Sequence, residues 1–231
     1  MGYNRMYPPQ IWITVIAPYA ALHQVPIEFI EAGLSEESGG NPCAIGNPEQ
    51  YGPDGSPREM GIYQFYNPDD LQRLKISGAQ LRAYCSPTKV AYKTRDGRTI
   101  MGPSQEVIRP LTAEEMGVQG QGTIDKIVAD RSIAAHYATA AKLAWPSSGI
   151  DFWRLVKLVH GLPGLVSVGL GNVATHLGRA PSSWAEFRHL IESGAVHCDP
   201  NTESHRGNDG FGWIFDNAEK ATSTMQGKAI A

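Results

Sequence analysis

The sequence has no strong excess of charge of either sign. Its 231 residues carry 20 Lys and Arg against 23 Asp and Glu, a formal net charge of −3. Proteins that bind nucleic acid usually present a basic surface. The charge balance therefore argues against nucleic acid as the main partner.

Cysteine is scarce. Cys43, Cys85 and Cys198 are an odd number without close pairing, which is not the pattern of a disulfide-rich scaffold. We expect three buried free thiols. If the protein works outside the cytosol, one bridge from Cys43 to Cys85 or to Cys198 is the alternative.

Long hydrophobic runs are also missing. The apolar stretch over residues 11–22 is short and is interrupted by Pro18, and the stretch over residues 155–170 contains Lys157, His160 and Pro163. A membrane-spanning helix needs about 20 consecutive apolar residues. We predict no membrane span.

The composition that is present, with 42% hydrophobic residues, is enough to bury a sizeable core. We predict a mainly α (α+β) fold in a single domain, residues 1–231. Its helical core would cover about residues 10–83 and 123–195, with a β-hairpin insertion over about 84–122 and a C-terminal tail over about 196–231.

Local patterns predict the elements of this fold. Helices are expected over residues 11–22, 26–38, 123–145 and 152–159, with a break at 161–164. Asn67 or Asp69 is the expected N-cap of a further helix that runs to about Leu81. Asp96-Gly97 between two β-prone runs predicts the hairpin. From Ala218 onward we expect a frayed helix or a docking tail.

Two short motifs are the most informative part of the chain. Residues 37–42 have the sequence Glu-Ser-Gly-Gly-Asn-Pro, and residues 61–65 have Gly-Ile-Tyr-Gln-Phe. At about 100° per residue, Glu37 falls within about 30° of the centre of an apolar helix face, whereas Glu36 and Glu31 point away. Burial raises the pKa of a carboxyl group, as a general acid near neutral pH requires.

These motifs resemble those of the soluble lytic transglycosylase and goose-type lysozyme superfamily. The resemblance covers residues 10–80 well and 125–195 loosely, and it implies a lysozyme-like helical domain. In that family the Glu of the Glu-Ser pair is the sole catalytic acid, and the Gly-x-x-Gln motif lines the saccharide groove. The resemblance thus implies Glu37 as the catalytic residue and peptidoglycan glycan strands as the substrate.

The implied reaction breaks the bond between N-acetylmuramic acid and N-acetylglucosamine and forms a 1,6-anhydro ring, with no metal or organic cofactor. The acids near the site, Asp54, Glu59 and Asp69, are near it in sequence only. The sequence therefore places no second catalytic carboxylate beside Glu37. The residues expected to bind the substrate are Ser38, Gln64, Tyr63, Tyr66 and Tyr137.

A third family motif, Tyr-Asn-Ala-Gly-x-Gly, is incomplete. The nearest candidate, residues 159–164, lacks both the tyrosine and the asparagine. In the family that tyrosine contacts the catalytic acid. Tyr137, Tyr63 or Tyr66 takes over its role, or the site is built differently.

Three alternatives to the transglycosylase remain open at this point. A hydrolysing muramidase would activate water instead of closing the ring. A structural virion protein would keep the lysozyme-like fold without activity, and a sugar-binding module would bind without turnover.

The leading residues lack the features of a secretory signal, since Pro8 and Pro9 precede the apolar run and no small-residue cleavage site follows it. A cell-wall enzyme without its own signal needs another route to the wall. We expect delivery as part of a bacteriophage particle, with other virion or tail proteins as partners, or delivery with a holin-like or injection device. The expected place of action is the bacterial periplasm during phage entry.

A metal site is not expected. His197, Cys198, Asp199 and His205 are residue types that bind zinc, but their spacing fits no common ligand pattern.

Overall fold

The computed structural model describes residues 3–94, 96–144, 149–196 and 212–227. Helix accounts for 58% of these residues and strand for 9%, which confirms the prediction of a mainly α fold with a small β-hairpin. The chain divides into two compact units, residues 1–126 and 127–231, and each is described by itself. The assignment of one domain to the whole chain stays a prediction.

The first unit begins with two helices. A 3-10 turn at Tyr3–Met6 precedes α1, Pro9–Leu22, and α2, Ile27–Glu37. The two helices pack against each other, and α1 buries Trp12, Ile16 and Ala20. Both lie where the apolar periodicity predicts helices.

Short elements follow the long loop after α2. Strands β1, Glu59–Met60, and β2, Phe65–Tyr66, pair antiparallel, and β3, Lys89–Lys93, pairs antiparallel with β4, Thr99–Pro103. The second pair confirms the predicted hairpin, with Gly97 at φ +86° in its turn.

The helix predicted to run as far as Leu81 is instead two short helices, α3, Asp69–Leu74, and α4, Gly78–Leu81. Lys75 adopts a left-handed conformation between them. The predicted N-cap is also wrong, because Pro68 occupies that position. The side chain of Asn67 instead donates hydrogen bonds to Asp54 and Ser56.

Helix α5, Ala113–Ala140, begins ten residues before the predicted start at Thr123. Thr112 and Glu115 form a capping box: the Glu115 amide donates to the Thr112 hydroxyl, and the Glu115 carboxylate accepts from the Thr112 amide. The glycines at 117, 120 and 122 have low helix propensity, but the cap and the packing of the helix outweigh it.

The second unit is helical in its described parts. Helices α6, Ile150–Gly161, and α7, Pro163–Leu177, meet at Leu162, which confirms the predicted break. Helix α8, Trp184–Glu192, and α9, Gly212–Ser223, complete the unit, with a 3-10 turn at Thr224–Gly227.

For the C-terminal end, expected to be a frayed helix or a docking tail, the described residues form a docked helix and not a frayed one. Helix α9 packs against α6 and buries Ile214, Phe215 and Ala218. The centroid of the Phe215 ring lies 5.3 Å from that of Trp184 and 5.8 Å from that of Phe187, and both contacts are edge-on. This segment therefore belongs to the hydrophobic core of the second unit.

The expectation of free thiols at Cys43 and Cys85 is also wrong, because these two residues form a disulfide across 42 residues of chain. Sequence spacing could not choose among the possible pairings. Cys198 lies outside the described residues. Within the described ranges, no helix is long and apolar enough to cross a membrane.

Candidate active site

Glu37 is the last residue of α2. The helix buries Ile30, Gly33 and Leu34 toward the core. The same helical phase explains why the adjacent acids Glu36 and Glu37 differ in exposure. Glu36 is exposed, whereas Glu37 is partly buried. A carboxyl group at Glu37 is thus set at the edge of the core at a helix end.

Two glycines turn the chain after α2. Gly39 and Gly40 have φ values of +61° and +85°, and a methyl group on Gly40 would lie 2.3 Å from the Tyr7 carbonyl oxygen. The Gly40 carbonyl accepts a buried 2.7 Å hydrogen bond from the Trp12 indole. Only glycine fits at position 40, and the turn is fastened to α1.

Hydrogen bonds join the two sequence motifs in space. The Ser38 hydroxyl donates to the Ile62 carbonyl at 2.7 Å and accepts from the Gly40 amide at 3.0 Å. The Gln64 side-chain amide donates to the carbonyl of Glu37 at 3.4 Å. Residues 24 and 27 positions apart in sequence therefore form one structural feature beside Glu37.

Gln119, which the sequence patterns did not single out, holds both motifs. It is fully buried on α5, its side-chain oxygen accepts from the Ile62 amide at 2.9 Å, and its nitrogen donates to the Pro42 carbonyl at 3.0 Å. The same nitrogen contacts the Tyr84 hydroxyl. Its position in a glycine-rich stretch gave no signal, and only the capping box at Thr112 would have placed it on a helix.

Gln64 is held in an unusual conformation. Its φ is +48°, and 9% of the residue is exposed. The side-chain nitrogen also donates to the Gly61 carbonyl at 3.3 Å. Its side-chain oxygen is buried and has no hydrogen-bond partner, which is uncommon for a buried polar atom and costly in free energy.

Asp54, Glu59 and Asp69, the acids expected to be near the site in sequence only, differ in their surroundings in the structure. Glu59 corrects that expectation, because its carboxylate and the Gln64 side-chain oxygen both border Gly46. A methyl group on Gly46 would lie 2.1 Å from Glu59 Oε2 and 2.8 Å from Gln64 Oε1. Asp69 is exposed in the first turn of α3.

Asp54 has a structural role. Its carboxylate accepts hydrogen bonds from the side chains of Ser56 and Asn67 and from the Gly78 amide. Burial alone would raise its pKa, but these hydrogen bonds outweigh that effect and lower the pKa to about 2. Asp54 is therefore an ionised anchor for the loop and not a proton donor.

The expected aromatic contacts have different surroundings. Tyr63 is 1% exposed and packs on Gly33 of α2, where an added methyl would lie 2.7 Å from its ring. Tyr66 is partly exposed, and the Arg58 guanidinium lies 4.8 Å from its ring centre. Tyr137 is partly exposed on α5 in the second unit. The buried Tyr63 thus supports α2, and the roles expected for Tyr66 and Tyr137 stay predictions.

The β-hairpin insertion is tied to the loop that follows Glu37. The Gln105 carbonyl accepts from the Asn41 side chain at 3.1 Å, and the Gln105 side-chain oxygen accepts from the Ile45 amide at 3.3 Å. Arg82 donates to the Cys43 and Ser104 carbonyls, and the disulfide links Cys43 to Cys85. The insertion is therefore a support for the loop.

His160 of the candidate third motif belongs to a polar pair in the second unit. His160 Nδ1 lies 2.9 Å from the Asp130 carboxylate, and the two side chains are 6% and 14% exposed. Lys157, one turn earlier on α6, is also buried.

Possible metal ligands do not cluster in the described part of the chain: no group there contains three or more His, Cys, Asp or Glu residues placed to hold an ion. The candidates His197, Cys198, Asp199 and His205 lie outside the described residues.

Comparison with protein-family models, with curated proteins and with solved structures found no match to this chain. Its function must therefore be inferred from its own residues.

Proposed function

We propose that this protein is a peptidoglycan lytic transglycosylase with Glu37 as its catalytic acid. The observation that carries the proposal is the hydrogen bond from the Gln64 side chain to the Glu37 carbonyl. It joins the polar side chain of the second motif to the backbone of Glu37, the partly buried acid of the first motif. A saccharide held at Gln64 would lie next to a group able to transfer a proton.

In the proposed reaction Glu37 first acts as a general acid. It donates its proton to the glycosidic oxygen between N-acetylmuramic acid and N-acetylglucosamine as that bond breaks. The Glu37 carboxylate then takes the proton of the muramyl C6 hydroxyl, whose oxygen attacks C1 and closes the 1,6-anhydro ring. Glu37 ends protonated, so the cycle consumes neither water nor cofactor.

The surrounding residues position this acid. Ser38 fixes the turn after Glu37 by bonding Ile62 and Gly40, and Gln119 fixes the backbone of both motifs. Catalysis depends on such prearranged geometry because small misplacements of reacting groups are costly in rate.

The test is product analysis on purified sacculi. The wild type should release fragments that end in 1,6-anhydro-muramic acid, identified by mass spectrometry. Glu37→Gln should lower the rate by about 10²- to 10⁴-fold, the range expected for loss of a general acid. The exposed neighbour Glu36 offers a matched control, and Glu36→Gln should retain wild-type activity.

Equal activity of wild type and Glu37→Gln would remove Glu37 from catalysis. No soluble fragments from either protein, with retention on insoluble peptidoglycan, would instead indicate a binding module. No fragments and no retention would indicate an inactive structural protein.

A hydrolysing muramidase is the second candidate, and the position of Glu59 favours it. Two-carboxylate glycosidases use the second carboxylate to activate water or attack the sugar, and Glu59 borders the same site as Gln64. Reducing-end muramic acid without anhydro products would select this reaction over the transglycosylase.

We further propose that the protein acts in the bacterial periplasm as part of a bacteriophage particle during entry. The support for action at the cell wall is the resemblance of the two motifs to those of peptidoglycan-cleaving enzymes. Detection of the protein in purified virions by mass spectrometry tests this assignment.

A further inference from the structure

The side-chain oxygen of Gln64 and the carboxylate of Glu59 are neighbouring hydrogen-bond acceptors, and no described residue donates to either of them. Gln64 Oε1 is buried without a partner, and the nearby Glu59 carboxylate is a second acceptor bordering Gly46. Two acceptors do not satisfy each other, and a buried acceptor left unpaired destabilises the free protein.

The Glu59 carboxylate is not held in place by other side chains. It makes no hydrogen bond or ion pair with any described residue, whereas the Glu59 backbone is fixed by pairing with Tyr66 and by the Gly46 amide. Glu59 is partly buried and Gly46 is exposed. A rotation of the Glu59 side chain would therefore vacate space next to Gln64 Oε1 on the side of Gly46.

We propose that Glu59 and Gln64 form a donor-binding subsite for the glycan. An acetamido N–H or a hydroxyl of the sugar displaces the Glu59 carboxylate from the space beside Gly46 and donates a hydrogen bond to Gln64 Oε1, and an adjacent hydroxyl is bound by Glu59. The subsite rests on the proposed function, since it names the part of the substrate that the same site recognises. Glu59 acts in binding and selectivity, and Glu37 retains the proton transfer.

Glu59→Gln tests the subsite with little change in shape. The new amide can donate to Gln64 Oε1, so the variant should be at least as thermally stable as the wild type. The same internal hydrogen bond competes with the sugar. On soluble glycan strands without peptide, apparent KM should rise about tenfold, as expected for one lost hydrogen bond to a charged group, with kcat within about twofold.

Gly46→Ala tests the same subsite by adding a methyl group to the backbone beside it. The added methyl would displace both oxygens, so apparent KM should rise at least as much as in Glu59→Gln. Glu49→Gln is the matched control, because Glu49 is an exposed acid in the same loop, and its KM should equal that of the wild type.

An unchanged KM in both folded variants would overturn the subsite, and so would a large fall in kcat for Glu59→Gln, because that result would assign Glu59 to catalysis as in the hydrolysing muramidase. A loss seen only on peptide-bearing sacculi, and not on peptide-free strands, would also overturn it, because the donor would then belong to the peptide. These results are separable from the proposed function. An inactive Glu37→Gln with a wild-type Glu59→Gln rejects the subsite alone, whereas a fully active Glu37→Gln rejects the catalytic assignment.

Discussion

Gln119 positions two loops with one buried side chain. An amide has both an acceptor and donors, so the single residue satisfies the Ile62 amide and the Pro42 carbonyl at once. A backbone amide or carbonyl left unpaired in the interior is costly, and neither loop has a long strand or helix to supply the missing partners. The geometry around Glu37 therefore depends on a residue far from it in sequence.

Replacement of Gln119 by Met tests this dependence. Methionine has a similar volume but cannot replace the two hydrogen bonds, so the free energy of unfolding should fall by about 1–3 kcal/mol for each buried group left unpaired. The proposed peptidoglycan cleavage should fall with it, because both motifs lose their common anchor. Urea unfolding and sacculus digestion measure the two effects.

The control for Gln119 is Gln121→Met on the same helix. Gln121 is exposed, and surface substitutions usually change stability by less than about 0.5 kcal/mol. Equal stability of the two variants would show that the buried hydrogen bonds of Gln119 do not hold the motifs.

At the scale of elements, the start of α5 decides where Gln119 lies. The capping box of Thr112 and Glu115 begins the helix early enough to carry Gln119 into the core of the first unit. Arg109 pairs with both carboxylate oxygens of Glu115. The hydrogen bond from Arg109 is the main reason that the pKa of Glu115 is lowered to about 2.

The low pKa of Glu115 predicts how this cap depends on pH. The folded pKa lies below the unfolded value of 4.5, so the ionised carboxylate contributes stability above that value and loses it as pH falls toward 2. Glu115→Gln should be less stable than the wild type at pH 6. The difference should shrink steadily between about pH 5 and pH 2 in denaturant titrations.

Glu114→Gln provides the control for the cap, because Glu114 is the exposed neighbouring acid in the same helical turn. If the stability difference between wild type and Glu115→Gln stayed constant across this pH window, the assigned linkage would be wrong.

At the scale of the whole molecule, the disulfide closes a large loop of the first unit. It links Cys43, just after the turn that follows Glu37, to Cys85, at the start of the hairpin insertion, across 42 residues. A cross-link stabilises the folded state chiefly by reducing the conformational freedom of the unfolded chain. The bond therefore supports the segment that carries both motifs.

The double variant Cys43→Ser, Cys85→Ser should lower the free energy of unfolding by about 2–4 kcal/mol. Reductant should destabilise the wild type to a similar extent and leave the double variant unchanged. Chemical denaturation with and without reductant measures this, and Cys198→Ser serves as the single-cysteine control. A wild type whose stability does not respond to complete reduction would contradict the prediction.

Several elements followed from sequence because their signals are local. The periodicity of Ile30, Gly33 and Leu34 predicted α2 and distinguished Glu37 from Glu36, and Asp96-Gly97 predicted the hairpin turn. These patterns depend on neighbouring residues along one helix or one turn. The errors at Asn67 and at the start of α5 arose where a tertiary hydrogen bond or a cap outweighed local propensity.

The sequence by itself determined the mainly helical class, the position of Glu37 on its helix and the two motifs that suggest a glycan-cleaving site. Only the tertiary structure brought Gln64 to the Glu37 carbonyl, placed Glu59 beside Gln64, buried Tyr63 and paired Cys43 with Cys85. The physical reason is the range of the interactions. Helical phase and turn chemistry act over a few residues, whereas the hydrogen bonds that join the two motifs to each other and to Gln119 connect residues 24 to 77 positions apart. No local pattern specifies which distant groups will meet.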